Sequence, residues 1–189
     1  MTSLLCRKVS RKWKLSKADD VQLIADNPPS WMISDFSPRY PEIGDISIFV
    51  IPNIEEIYRV AAARSAALDN FELSIWSVVT QEAASESGLT WEVDSKANTP
   101  CDLVNSWHAS LKIPDYNAIS KSVEVFYAGS IHTCEEKNIK TQYEKSVRAN
   151  EYQLIAPNNV SHQLNPYKKV PEFLKRGWLS ISGVPLELT

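Results

Sequence analysis

A chain of 189 residues with 43% apolar side chains and a net charge of −3 has enough apolar surface for one full core. No apolar run reaches the ~20 residues of a membrane span. Arg7, Lys8, Arg11 and Lys12 interrupt the only stretch like a secretory leader, and three widely spaced cysteines, Cys6, Cys101 and Cys134, do not make a disulfide scaffold. The expectation is a soluble, cytoplasmic protein with no membrane partner.

Leu4 to Val9 reads as a first strand, which Trp13 and Leu15 extend. Asp19 to Asp26 reads as a short helix stopped by Pro28-Pro29, and Trp31 to Phe36 as a further helical turn. Ile46 to Ile51 is a short, nearly continuous apolar run, the pattern of a strand covered on both faces. Pro52 ends it, and Asn53 with Glu56 three residues on makes a capping-box-like helix start. Ile54, Ile57, Tyr58, Ala61, Ser65 and Leu68 follow at helical spacing, and Phe71 to Val79 is again apolar and β-branched. Strand, helix and strand within about thirty-five residues predict a right-handed βαβ unit with parallel, adjacent or near-adjacent strands. The strand-to-helix turn is Pro52-Asn53, not a glycine-rich phosphate loop.

Thr80 caps a short helix that Gly88 stops, and Leu89 to Val93 is a third strand of the series. Thr99, Pro100 and Asp102 open a helix that Val104, Trp107, His108 and Leu111 continue. From Asp115, apolar residues at helical spacing through Ile131 predict another helix. Thr133 with Glu136 opens one more, running through Ile139, Tyr143 and Val147, with Lys145 and Arg148 late, as the helix dipole favours. Tyr152 to Ile155, Pro171 to Arg176 and Trp178 to Ile181 read as an edge, a short helix and a last extended piece. The fold class expected is α/β: a single small mixed, partly parallel sheet with flanking helices over residues 1–113, and a helical C-terminal extension over 114–189 packed on it as part of one structural domain.

No motif carries chemistry on its own. His132 with Cys134, and Cys101 seven residues before His108, are the only candidate ligand pairs. Neither has the spacing of a structural zinc site, so no metal and no cofactor are expected. No Ser stands on a Gly-flanked nucleophile turn. Glu55-Glu56 and Glu135-Glu136 sit at helix starts, where capping accounts for them. Cys6 beside Arg7 and Lys8 has a cationic setting, but strand cysteines are usually buried and inert. Six tryptophans exceed ordinary usage, and core filling competes with interface contact to explain them.

Charge is unevenly spread. Residues 1–18 hold +6 and no acid, while the remaining 14 basic and 23 acidic side chains sum to −9. Arg7, Arg11, Trp13 and Lys14 form a basic–aromatic–basic strip. It suits an acidic protein surface, or single-stranded nucleic acid through stacking and phosphate contacts. A solvated strand edge, with lysine blocking aggregation, is the plainer alternative.

Leu4-Leu5-Cys6-Arg7-Lys8-Val9-Ser10, Lys12-Trp13, Asp20-Val21 to Ala25-Asp26 and Asn98-Thr99-Pro100-Cys101-Asp102-Leu103-Val104 are distinctive together. Over about residues 1–113 the chain resembles a group of small bacterial proteins without assigned function. That resemblance implies a bacterial α/β protein and carries over no activity. The Pro-rich insertion before the second strand and the C-terminal third depart from it. The function expected is that of a non-enzymatic binding protein, the partner or neutraliser of another protein in a toxin-related or phage-defence system. The alternatives are a hydrolase- or nuclease-type enzyme using His108, His132 or His162, and a nucleic-acid-binding accessory protein using the basic strip.

Overall fold

The structure, a computed structural model, describes residues 3–15, 28–38, 44–68, 70–95, 97, 99–149 and 151–152. The expected elements at 19–26 and beyond Tyr152, together with His162 and Trp178, lie outside the described residues. The chain divides into two compact units. The first comprises Met1–Ile57, Ser74–Ser95 and Trp107–Cys134, and the second Tyr58–Leu73, Lys96–Ser106 and Glu135–Thr189.

The first unit is built on a six-stranded sheet of β1 (Leu4–Val9), β2 (Asp45–Ile51), β3 (Ser74–Thr80), β4 (Trp91–Val93), β5 (His108–Lys112) and β6 (Ser130–Cys134). Their order is β4-β5-β2-β1-β3-β6, and every neighbouring pair is antiparallel. The expectation of a mixed, partly parallel sheet is therefore corrected. β2 and β3 point the same way, but β1 stands between them, with Leu4 opposite both Ile51 and Thr80. The N-terminal strand takes the slot that a parallel pair would close. It satisfies both flanking ladders with antiparallel hydrogen bonds, the slightly more stable arrangement per residue. Leu5 and Cys6 are accordingly buried completely.

Register sorts the side chains by face. Leu5, Val9, Ile46, Ile48, Ile75, Val79, Ala109 and Leu111 share one face and are buried. Two helices cover it, α1 (Ser30–Phe36) and, along β3 and β6, the longer helix Tyr116–Ala128. The ring centroids of Phe36 and Phe126 lie 5.1 Å apart, and Ser77 donates its hydroxyl to the Phe126 carbonyl. Burying each such ring is worth about 1.5–3 kcal/mol. The opposite face is buried at Cys6, Phe49, Trp76 and Val78, and turns polar towards β5 and β4.

Local signals explain several boundaries. Asn53 accepts a hydrogen bond from the Glu56 amide (3.3 Å) at the start of a 3-10 turn that leads into α2 (Ile57–Leu68). Thr80 accepts one from the Ala83 amide (3.1 Å) and caps α3 (Gln81–Glu86), after which Gly88 takes φ +79°. The helix expected to run on through His108 ends sooner: α4 is Asp102–Ser106, and β5 follows immediately. Likewise the helix expected to reach Ile131 stops at Ala128. This α5 (Tyr116–Ala128) gives way at Gly129 to the edge strand β6. Five-residue segments span barely more than one helical turn, so periodicity alone could not tell strand from helix in either place. Strand β1 is not extended by Trp13 and Leu15, because Arg11–Leu15 is a 3-10 turn.

In the second unit, α6 (Glu136–Arg148) buries Ile139, Tyr143 and Val147 at four-residue spacing. Tyr143 packs on Phe71 and Tyr152, with centroids 4.9 and 5.1 Å apart. Tyr152 bridges Cys101 as an isolated antiparallel pair, and Arg59 donates to Glu151 at 2.7 Å. Thr99 is held by Asn105, whose side-chain oxygen accepts the Thr99 hydroxyl at 2.7 Å.

Candidate functional site

Two residues of the basic strip, Arg7 and Trp13, fold inward onto Asp35, Trp13 at its carboxylate and Arg7 at its backbone carbonyl. Asp35, near the end of α1, accepts the Trp13 indole N–H at 2.7 Å and the Ser10 amide at 2.8 Å through the same oxygen. Trp13 is 1% exposed, packed among Phe36 (5.9 Å), Tyr127 (5.7 Å) and Trp31 (6.4 Å). A contact surface at Trp13 would need the ring exposed; it is buried, and neither ring face is open to a base. Arg7 lies over the Phe36 ring at 5.2 Å and donates to the Asp35 carbonyl from Nε at 2.8 Å. It also donates to the Ser47 carbonyl, just past Cys6–Phe49, where the β1–β2 register ends. An arginine fork here does the work of missing strand partners. Arg11 and Lys12 are exposed on the 3-10 turn, whereas the Lys14 side chain lies outside the described ones.

His108 and His132 do not converge. His108 is on β5 and His132 on β6, with β2, β1 and β3 between them, about 19 Å apart at ~4.8 Å per strand. His132 Nε2 lies 3.1 Å from the Ser130 hydroxyl. Among the described residues no group of three or more His, Cys, Asp or Glu side chains could hold a metal ion. All three cysteines are buried, and burial pushes the Cys134 thiol up to about 12 and raises that of Cys101.

The densest polar cluster lies where β4 meets β5. Asp94, just after β4, binds His108 Nδ1 through one oxygen and accepts the Ser110 hydroxyl through the other at 2.6 Å. Both Asp94 and His108 are nearly buried, with side chains 6% and 8% exposed, and Phe49 meets the imidazole edge-on at 5.6 Å. A nucleophilic relay needs the imidazole between carboxylate and hydroxyl. Here the carboxylate lies between imidazole and hydroxyl, so the trio locks the end of β4 onto β5. Beside it Lys112 donates to Asp45 at 2.9 Å and lies 3.5 Å from Glu92. The hydrogen bond to Asp45 is the main reason its ammonium is held above its ordinary pKa. A cleft of about 360 Å³ opens alongside, lined by Gly88, Leu89, Thr90, Lys112, Asn117 and Lys121.

Among the described residues strand β4 closes the sheet on this side and is open along its outer edge. Lys112 N–H bonds the Thr90 carbonyl at 2.9 Å, and Asp94 N–H bonds the His108 carbonyl at 3.2 Å. The alternation of an antiparallel ladder then turns the N–H and C=O groups of Trp91 and Val93 outward. Val93 is 53% exposed and the Glu92 side chain 71%. The sequence reading missed both Asp35 and Asp94. The available signal was an acid set among apolar residues at an element end, in Ser34-Asp35-Phe36 and Val93-Asp94-Ser95. No protein-family model, curated protein or solved structure shows significant similarity to this chain.

Proposed function

We propose that the protein is a non-enzymatic binding protein whose partner is another protein, docked along the outer edge of β4. The observation that carries this reading is the open edge itself. Trp91 and Val93 turn two N–H and two C=O groups outward from a terminal strand, beside an apolar side chain that is half exposed. Proteins blunt such edges with short strands, charge, proline or bulges; β4 is three residues long and carries Glu92, yet it leaves Val93 half exposed, and an added strand supplies the missing hydrogen bonds. Glu92 is the only charge on β4 and projects to one face alone. A neutralising partner of a toxin or phage-defence protein would need the same kind of surface. Among the described residues no helix is long and apolar enough to cross a membrane.

The test is capture of partners from the native cell with the wild-type chain and with Val93→Pro. Proline removes an outward N–H and leaves the β4–β5 ladder intact, as edge prolines do. A partner retained by the wild type and lost with Val93→Pro, at unchanged circular dichroism, supports the reading. Equal retention by both chains overturns it.

A further inference from the structure

We infer that the partner presents an extended segment with a lysine or arginine flanked at both neighbouring positions by apolar residues, aligned so that the cation faces Glu92. This rests on the docking of a partner at β4. Register dictates the pattern. Trp91 and Val93 share a face with Leu111 and Ala109, whereas Glu92 shares the polar face with Ser110. A strand added antiparallel to β4 therefore sets its own alternate residues beside Trp91 and Val93, and the residue between them beside Glu92.

Charge selects that middle residue. Across β4, β5 and β2 this part of the polar face carries Asp45, Glu92 and Asp94 against Lys112, among the described residues. Lys112 is nearer Asp45, at 2.9 Å, than Glu92, at 3.5 Å, and Asp94 is committed to His108 and Ser110. Glu92 is therefore the carboxylate with capacity left for an incoming cation. The same charge disfavours a second copy of this chain. A two-fold pairing that matches Trp91 with Val93 on both sides puts Glu92 directly opposite its own copy, and like charges opposite one another destabilise a ladder.

The probe is a blocked heptapeptide with a central Val-Lys-Val, set against its Val-Glu-Val counterpart, titrated into the isotope-labelled full chain by NMR. The lysine peptide should shift the amide signals of Trp91 and Val93 and bind roughly three- to tenfold more tightly than the glutamate peptide. Glu92→Lys should reverse that order, and Val93→Pro should abolish both sets of shifts. Equal affinity of the two peptides, or shifts that avoid β4, overturns the inference. So does concentration-dependent dimerisation that Val93→Pro suppresses, since the edge would then belong to a second copy. If the peptides bind β4 without charge preference while native capture remains sensitive to Val93→Pro, only this inference falls. If native capture ignores Val93→Pro, the docking reading falls with it.

Discussion

Asp35 shows how one half-buried acceptor can organise an N-terminus. Its carboxylate takes the Trp13 indole and the Ser10 amide, and its carbonyl takes Arg7. Trp13→Phe keeps most of the ring packing and removes one donor, so it should cost about 1–2 kcal/mol in urea unfolding. Asp35→Ala strands two donors at once and should cost more than Trp13→Phe in the same assay. Cys134 offers a second check at this scale. Burial lifts its thiol from 9.0 to about 12, so between those values the folded chain holds a proton that the unfolded chain has lost. The cysteine's contribution to stability is therefore complete below pH 9 and declines as pH rises towards 12. Denaturation midpoints followed from pH 8 to 11 should fall, and replacing Cys134 with alanine should flatten that slope. At neutral pH the native thiol should resist Ellman's reagent until the protein unfolds.

Among the elements, β6 depends most on a single residue. A Cβ at Gly129 would lie 2.4 Å from the Val78 carbonyl oxygen and 2.6 Å from a Val79 methyl carbon, so α5 can turn into β6 only where no side chain intervenes. Gly129→Ala should destabilise by about 1–3 kcal/mol through overpacking, with its largest hydrogen-exchange effect along β3 and β6. Gly88 differs in kind. A Cβ there meets nothing within 4 Å, but φ is +79°. Gly88→Ala should cost about 1 kcal/mol through backbone conformation alone. Thermal melts of the two variants, with Gly129→Ala the lower, would separate steric from conformational cost.

Across the whole molecule, net charge divides differently from its linear distribution. Of the +6 N-terminal segment, Arg7 is spent inside the first unit, while among the described residues the polar face across β2, β5 and the end of β4 carries three carboxylates, Asp45, Glu92 and Asp94, to one lysine. Association with the partner proposed at β4 should therefore weaken as ionic strength rises. Glu92→Gln should reduce that salt dependence while leaving the melting temperature within a few degrees, since an exposed, distant ion pair contributes little to folding. A salt slope unchanged by Glu92→Gln would move the charged contact elsewhere on the surface.

What the sequence determined by itself was local. The apolar runs placed β1, β2 and β3 within a residue or a few, and Asn53, Thr80 and Gly88 marked helix starts and a stop because their side chains, or the lack of one, act within three or four residues. Tertiary structure alone decided which strands pair. A βαβ pattern fixes that two strands run alike, and nothing local in it says that residues 4–9 will enter between them. The ladders of β1 on both sides outweigh the direct pairing of β2 with β3, and that comparison exists only after chain segments more than thirty residues apart have met. His108–Lys112 and Ser130–Cys134 became strands for the same reason, since their partners supply the preference that five residues cannot. The fate of Trp13 was equally non-local: flanked by lysines it looks exposed, and it is buried because Asp35, Phe36 and Tyr127, distant in sequence, close around it.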